Sequence, residues 1–185
     1  MAKGIEIQLS EEDIKVLERL NIISEEVNKP SASSNQNAGL TRSLSWLTRC
    51  DCAILTAWRS KNTRKVNDEN NRDMQLKLRS YGYGVTKVIG CYAEKGLPVS
   101  RENSFLVFDI QAKPQEFYDR VFKLSASYDQ DCFLYKRAGE GEPAYLIGTN
   151  EDFGMNKRQL AGYIRIGSEE AENYSRIGSG KISFE

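Results

Sequence analysis

The segment SRENSFLVFDI, Ser100–Ile110, contains four consecutive apolar residues, Phe105 to Phe108. A short apolar run of this kind, bounded by polar residues, is typical of a strand that is buried on both faces. The residues from Arg101 to Ser104 stand directly before the run and are all polar. We therefore predict a central strand of a sheet. The polar residues before it mark either the mouth of a loop or the edge of a binding site, and the loop mouth is the favoured interpretation.

Strand-like and helical segments on either side of this run indicate the fold class. Residues 84–94 reach it through a connector that contains glycine and proline, and residues 132–137 and 144–149 flank a second turn. Apolar residues recur at helical spacing over residues 66–82 and 114–128. Because hairpins are more prominent than βαβ units, we predict a single α+β domain, with a mixed or mostly antiparallel sheet and helices packed on it.

The ends of the chain suggest two appendages to this domain. Ser10 and Asp13 resemble a capping box at the start of an amphipathic helix, and a Ser/Asn-rich stretch follows that helix. We predict an N-terminal helical arm with its linker over residues 1–37. The α+β core then covers residues 38–150, and a C-terminal extension of short strands and turns covers residues 151–185.

Composition excludes several kinds of chemistry. The 185-residue chain contains no histidine, so Ser-His and Cys-His nucleophile pairs are absent and so is the commonest zinc ligand. The four cysteines lack the spacing of a metal site and are expected to be buried free thiols. We predict neither a metal nor a cofactor. No apolar run approaches the length of a membrane helix, and the first residues lack the apolar core of a secretion signal. We therefore expect no membrane contact, and a location in the host cytoplasm or in a virion.

Two glutamates are expected at the same end of the first hairpin. Glu94 ends its first strand and Glu102 begins its second. If the two side chains share a face, the paired carboxylates would differ in pKa and could act as acid and base, or they could bind a divalent cation. The commoner situation is a pair of solvated residues at a hairpin mouth. We therefore predict no catalytic residue.

Further polar residues could reach the same edge of the sheet. Arg59 ends a strand before a basic loop, and its guanidinium group suits phosphate or carboxylate. Asn70 falls between Val66 and Met74 on the predicted apolar stripe of a helix, so it either lies at a hydrated rim or enters a polar site. The predicted ligand-binding set also includes two residues beside strands, and its members are Arg59, Asn70, Glu94, Glu102, Ser104 and Gln130.

Five short segments resemble a known protein family. TAWRS, NDENNR, GCYAEKG, ENSFLV and YDQDCFLY occur in this order within residues 52–136. The order resembles that of a family of small uncharacterised bacterial and phage proteins. The resemblance implies a compact α+β core, clustered polar residues and a phage or mobile-element origin. It implies no activity.

Two functional hypotheses follow from these observations. Basic residues outnumber acidic ones over residues 38–90, and such a block can meet phosphate or an acidic partner. The first hypothesis is a non-enzymatic, phage-encoded interaction protein that binds a host or viral protein or nucleic acid through this block. A protein partner or a homo-oligomer is expected ahead of nucleic acid. The alternative is a binding protein or enzyme for a phosphate ligand, a nucleotide or a nucleic acid, that uses Arg59, Glu94 and Glu102.

Overall fold

The computed structural model describes residues 43, 45–92, 100–166, 174–177 and 180–185. Within these residues, nine strands form one sheet and two helices pack against it. Among the described helices, none combines the length and apolar character needed to span a bilayer. The predicted N-terminal helical arm lies outside the described residues.

The helices and strands follow a short helical turn over residues 45–49, which precedes the first strand. The two helices are α1 (Arg64–Ser80) and α2 (Pro114–Ser127). In chain order, the strands are β1 (Cys52–Leu55), β2 (Gly84–Tyr92), β3 (Ser100–Phe108), β4 (Cys132–Lys136), β5 (Ala144–Gly148), β6 (Arg158–Gly162), β7 (Ile164–Ile166), β8 (Tyr174–Ile177) and β9 (Gly180–Phe184).

The apolar run from Phe105 to Phe108 lies in the middle of the sheet, as predicted. The strand order is β6-β5-β4-β1-β3-β2-β8-β9-β7, and the described pairings are antiparallel. Strand β3 therefore lies between β1 and β2, and all four residues of the run are at most 3% exposed. The predicted α+β class with an antiparallel sheet is confirmed, although the described residues form more strands than the prediction implied.

The two outer strands of the sheet follow one another in the chain. Strands β6 and β7 are separated by Tyr163 alone, and Tyr163 exchanges two backbone hydrogen bonds with Glu185, of 2.6 and 3.0 Å. Gly162 has a φ of +119°, and a Cβ atom there would lie 2.5 Å from the backbone of Glu185. Only glycine fits this close approach. The sheet therefore curves until it is nearly barrel-like, and residues 158–184 supply four of its strands.

Successive side chains of a strand point to opposite faces of a sheet, so both faces carry apolar residues. The outer face packs against α1 and α2, and its cluster includes Ala53, Leu55, Met74, Leu78, Val107, Phe117, Val121 and Phe133. The inner face is covered by the helical turn before β1, and its cluster includes Leu47, Ile54, Val88, Leu106, Phe108, Ile177 and Ile182. Polar side chains interrupt both clusters beyond the end of β1, where the candidate site lies.

The first half of helix α1 presents a different face to the sheet than its sequence predicts. Thr63 caps its first turn by accepting a hydrogen bond from the amide of Val66, at 3.4 Å. The predicted apolar stripe starts at Val66, but that side chain is 40% exposed, so this part of the prediction is wrong. Asn70 is half-buried. In the first half of the helix the buried positions are one residue further on, at Asn67 and Asn71, whereas Met74 and Leu78 are buried as predicted.

Candidate functional site

The chain continues past β1 as an extended segment over residues 56–59 that two amide side chains hold in place. Asn71 Oδ1 accepts a hydrogen bond from the backbone N–H of Ala57, at 2.9 Å. Asn67 Oδ1 accepts from the N–H of Arg59, and its Nδ2 donates to the Arg59 carbonyl, both at 2.9 Å. Asn67 and Asn71 are one helical turn apart on α1. They satisfy backbone groups that a neighbouring strand would otherwise pair.

Four more hydrogen bonds that involve side chains fix the same segment. Thr56 Oγ1 accepts from the N–H of Trp58 at 3.0 Å and donates to the Asn103 carbonyl at 2.7 Å. Asn71 Nδ2 donates to that carbonyl at 3.0 Å, and Gln130 Nε2 donates to the Trp58 carbonyl at 3.1 Å. The backbone that carries the Trp58 and Arg59 side chains is thus held by several hydrogen bonds. We call this group the strand-end cluster, and its members are Trp58, Arg59, Asn67, Asn71, Gln130 and Asp131.

Arg59 is oriented by two carboxylates. Its NH1 donates to Asp131 Oδ1 at 3.0 Å, and its NH2 lies 3.6 Å from Asp129 Oδ2. Asn150 Nδ2 also donates to Asp131, at 2.7 Å. The hydrogen bond from Lys61, together with the positive charges of Lys61 and Arg59, lowers the pKa of Asp129, so that carboxylate is ionised at neutral pH. A guanidinium group has five N–H donors. The donors of Arg59 that these carboxylates leave unused can meet an acidic group of a ligand.

Ser104 and Glu102 occupy the inner face of β3, beside the cluster. By strand alternation both lie on the face that carries Leu106. Ser104 is 2% exposed, and its hydroxyl has no hydrogen-bond partner among the residues that the structure describes. Glu102 is half-buried and pairs across the sheet with Gly90, which has no side chain. A buried hydroxyl without a partner costs about 1–3 kcal/mol. It is therefore a candidate for contact with a ligand.

The structure brings some of the sequence-predicted residues together. Gln130 donates to the carbonyl of Trp58, which precedes Arg59, and Arg59 in turn pairs with Asp131, which follows Gln130. Ser104 and Glu102 flank Asn103, whose carbonyl joins β3 to the cluster. Asn70 belongs to α1 beside Asn71, and Glu94 lies outside the described residues. Ligand binding by these six residues stays a prediction.

Sequence reasoning missed the residues that build the cluster. Asn67 and Asn71 are four positions apart, and Met74 continues their line at helical spacing. That spacing was the available signal, because two asparagines in line with an apolar stripe must either be buried with partners or lie at its edge. Asp131 and Thr56 carry no comparable signal, since their partners are distant in the chain.

A cleft of about 440 Å³ opens at the other end of β4, and no member of the strand-end cluster lines it. Lys136, 4% exposed, borders this cleft. Its ammonium group donates to the carbonyls of Leu47, Arg137 and Gly139 at 3.0, 2.8 and 2.8 Å. An ammonium group has three donors, so Lys136 ties the helical turn to the second hairpin and has no donor left for a ligand.

The cysteines are free thiols, as predicted. Cys52 and Cys91 are buried, whereas Cys50 and Cys132 are half-buried. Burial raises the pKa of Cys52 to about 12 and that of Cys132 to about 11. Both thiols are therefore protonated at neutral pH, which makes them poor nucleophiles. In the described part of the chain, no group of three cysteine or carboxylate side chains could hold a metal ion.

Comparison with known families assigns the chain to a family. The model of the S-Adenosylmethionine lyase family matches residues 53–184. No curated protein matches the chain. The matched family is an enzyme family, which overturns the predicted non-enzymatic interaction protein; the alternative that included an enzyme is closer. The predicted resemblance to a family without an activity is only partly right, because the matched family carries the name of a reaction and extends to residue 184.

Proposed function

The chain belongs to the S-adenosylmethionine lyase family, and from this membership we propose that it binds S-adenosylmethionine and breaks one of its carbon–sulfur bonds without consuming water. The observation that carries the proposal is the family match over residues 53–184, which includes the strand-end cluster, Glu102 and Ser104. The chemistry of the substrate and the side chains of the cluster both support such a reaction.

The substrate itself contains most of the chemistry. Its sulfur is a sulfonium cation, so the sulfur leaves as a neutral thioether and takes both electrons of the broken bond. In one route, an oxygen of the substrate's own carboxylate attacks the γ-carbon and closes a lactone ring. In the other, a base removes a β-proton and a carbon–carbon double bond forms. We favour the ring closure, because the protein then needs only to fold and orient the substrate.

The strand-end cluster has side chains suited to each part of this substrate. The half-buried indole of Trp58 can stack on an adenine ring. The unused donors of Arg59 can orient the carboxylate, in place of the phosphate expected from the sequence. Glu102 can attract the ammonium or sulfonium cation, and Ser104 offers an unpartnered hydroxyl beside it. Because the Trp58 and Arg59 backbones are held by side-chain bonds, the site would be preorganised.

The direct test incubates the purified chain with S-adenosylmethionine and follows its products by chromatography and mass spectrometry. We expect loss of the substrate and formation of methylthioadenosine. S-adenosylhomocysteine is the matched control, since its sulfur is uncharged and is a poor leaving group, and it should stay intact. Absence of methylthioadenosine would overturn the proposal.

Isotopes separate the possible routes. In H₂¹⁸O, direct hydrolysis places ¹⁸O on the γ-carbon of the amino-acid product, whereas a lactone that opens later takes ¹⁸O into its carboxyl group. Substrate deuterated at the β-carbon keeps its label in ring closure and loses one deuteron in elimination. Label on the γ-oxygen would contradict a lyase reaction, and loss of deuterium would replace ring closure by elimination.

A pair of variants tests the placement of the site. Glu102→Gln removes a charge on the inner face of β3, and we expect kcat/KM to fall at least about tenfold if this carboxylate attracts the substrate cation. Glu142→Gln makes the same change at an exposed position in the hairpin between β4 and β5, and it should behave as wild type. Equal activity in both variants would remove Glu102 from the site.

A further inference from the structure

Strands β3 and β8, which lie on either side of β2, carry basic residues on one face of the sheet. Cys91 pairs with Arg101 on one side and with Tyr174 on the other, and Ile89 pairs with Arg176. Directly paired residues share a face of the sheet. Arg101, Tyr174 and Arg176 therefore lie on the outer face. Arg101 and Arg176 are exposed, and Ile89 between them is 44% exposed.

A third cation joins this group from β9. Lys181 pairs with Arg176, and its ammonium nitrogen lies 4.8 Å from the centroid of the Tyr174 ring. The hydrogen bond between Tyr174 and Cys91 raises the pKa of the phenol, while Arg101 and Arg176 lie close enough to act in the opposite direction. The Tyr174 hydroxyl is thus protonated at neutral pH and does not neutralise the cations around it.

The described acidic side chains leave this positive charge unbalanced. Among the residues that the structure describes, Arg101, Arg176 and Lys181 form no ion pair. Glu102 adjoins Arg101 in the chain but points to the opposite face by strand alternation. Glu185 lies at the edge of the group, where it accepts a hydrogen bond from a serine hydroxyl. Three cations from three strands therefore lie around one tyrosine, with Arg101 and Arg176 close to its hydroxyl and Lys181 over its ring.

We propose that Arg101, Tyr174, Arg176 and Lys181 form a binding site for a phosphate group, which we call the Tyr174 site. Two guanidinium groups and an ammonium group present many N–H donors, and because they come from three strands they approach from different directions. This arrangement suits a tetrahedral anion better than a planar carboxylate, which one guanidinium can hold in its own plane.

The Tyr174 site does not fit the proposed substrate. S-adenosylmethionine carries a sulfonium and an ammonium group against one carboxylate, so its net charge is positive and three cations would repel it. The proposal therefore stands apart from the proposed reaction. The phosphate could belong to a free nucleotide or to a nucleic-acid strand, since both offer the same group, and binding measurements with both kinds of probe separate these sources.

The test measures binding to the purified full chain by isothermal titration calorimetry at constant ionic strength. The probes are inorganic phosphate, ATP and a short single-stranded oligonucleotide, with chloride as the background anion. We expect saturable binding of at least one probe. The double variant Arg101→Gln/Arg176→Gln should weaken that binding at least about tenfold, and Tyr174→Phe should weaken it less because it removes one neutral donor.

Arg158→Gln, compared with Arg176→Gln, is the matched control. Arg158 is a strand arginine beside a tyrosine, 4.4 Å from the centroid of the Tyr145 ring, and its replacement by glutamine changes the net charge by the same amount. Binding should survive in this variant. Stronger binding of ATP identifies a free nucleotide, and stronger binding of the oligonucleotide with a steep salt dependence identifies a nucleic-acid backbone; either supports the proposal. Absence of saturable binding, or equal weakening by Arg158→Gln and Arg176→Gln, would overturn it.

Discussion

Asn67 bonds to both backbone polar groups of Arg59, so a helix side chain stands in for a neighbouring strand at the end of β1. One turn later, Asn71 accepts a hydrogen bond from the N–H of Ala57 and donates one to the carbonyl of Asn103. Burial of an asparagine is costly unless its amide is paired. In this fold the pairs form only when α1, β1 and β3 are all in place. The position of the Arg59 side chain therefore depends on the packing of α1.

Replacement of Asn71 by alanine should lower the free energy of unfolding by about 1–3 kcal/mol, because the buried N–H of Ala57 would lose its acceptor. Urea denaturation measures the change. Asn70→Ala is the control, since Asn70 is the half-buried neighbour on the same helix, and it should cost less than about 0.5 kcal/mol. Equal losses of stability in the two variants would show that the hydrogen bonds of the Asn71 side chain contribute little to the free energy of unfolding.

Replacement of Ser104 by alanine should leave the folded state as stable as before or more stable by up to about 1 kcal/mol, because it removes a buried hydroxyl without a partner. If that hydroxyl contacts the substrate, KM for S-adenosylmethionine should rise. Ser125→Ala is the control, since Ser125 is the other buried residue of this kind among the described residues and lies on α2. Ser125→Ala should change stability by the same amount as Ser104→Ala and should leave KM unaltered. The same KM in both variants would exclude Ser104 from binding.

Stability should fall as the pH rises above 9. Burial raises the pKa of Cys52 to about 12 and of Cys132 to about 11, from an ordinary value of 9.0. The unfolded chain therefore releases these protons near pH 9, while the folded chain keeps them. The stabilisation is complete below pH 9 and is lost as the pH rises toward 11–12, by up to about 1.4 kcal/mol per pH unit for each thiol.

Denaturant unfolding between about pH 8 and pH 10.5 measures this slope. Cys132→Ser removes one of the thiols and should make the decline shallower than in the unaltered chain. An unchanged slope would mean that other groups, such as the Tyr135 phenol with its raised pKa, dominate the alkaline range.

Gly162→Ala should destabilise the fold by more than about 2 kcal/mol, because alanine is strained at a φ of +119° and its Cβ would collide with the Glu185 backbone. Gly141→Ala is the control. Gly141 also has a positive φ, of +68°, but a Cβ there meets nothing within 4 Å, so only backbone strain of about 1 kcal/mol is expected. Thermal unfolding compares the two. If Gly141→Ala lost as much stability as Gly162→Ala, the contact with Glu185 would not explain the destabilisation of Gly162→Ala.

The sequence predicted those helices and strands whose buried residues form an apolar pattern within one continuous segment. The run from Phe105 to Phe108 and the helix that starts at Pro114 are of this kind. The sheet-facing side of the first half of α1 was misplaced, because Asn67 and Asn71 are buried only through partners in the segment after β1 and on β3. Closure of the sheet at Gly162 could not be predicted, since it depends on a backbone contact with a residue far along the chain.

The site was harder to predict than the fold. Arg59 and Gln130 were singled out for their positions beside strands, and the structure places them around one segment. The carboxylates that orient Arg59 belong to Asp129 and Asp131, and nothing in the local sequence connects them with Arg59. The ring closure proposed above would also leave no catalytic motif to recognise, because the substrate supplies its own nucleophile.

The central position of β1 has a consequence for the rate of folding. Its partners are residues 105–108 on one side and 134–136 on the other, so both contacts close long loops. The hairpins β2–β3 and β4–β5 can form locally, but they remain separate until β1 enters between them. Long loop closures slow folding. Until β1 arrives, β3 and β4 each present an unpaired edge, and at high concentration those edges can pair with another chain instead.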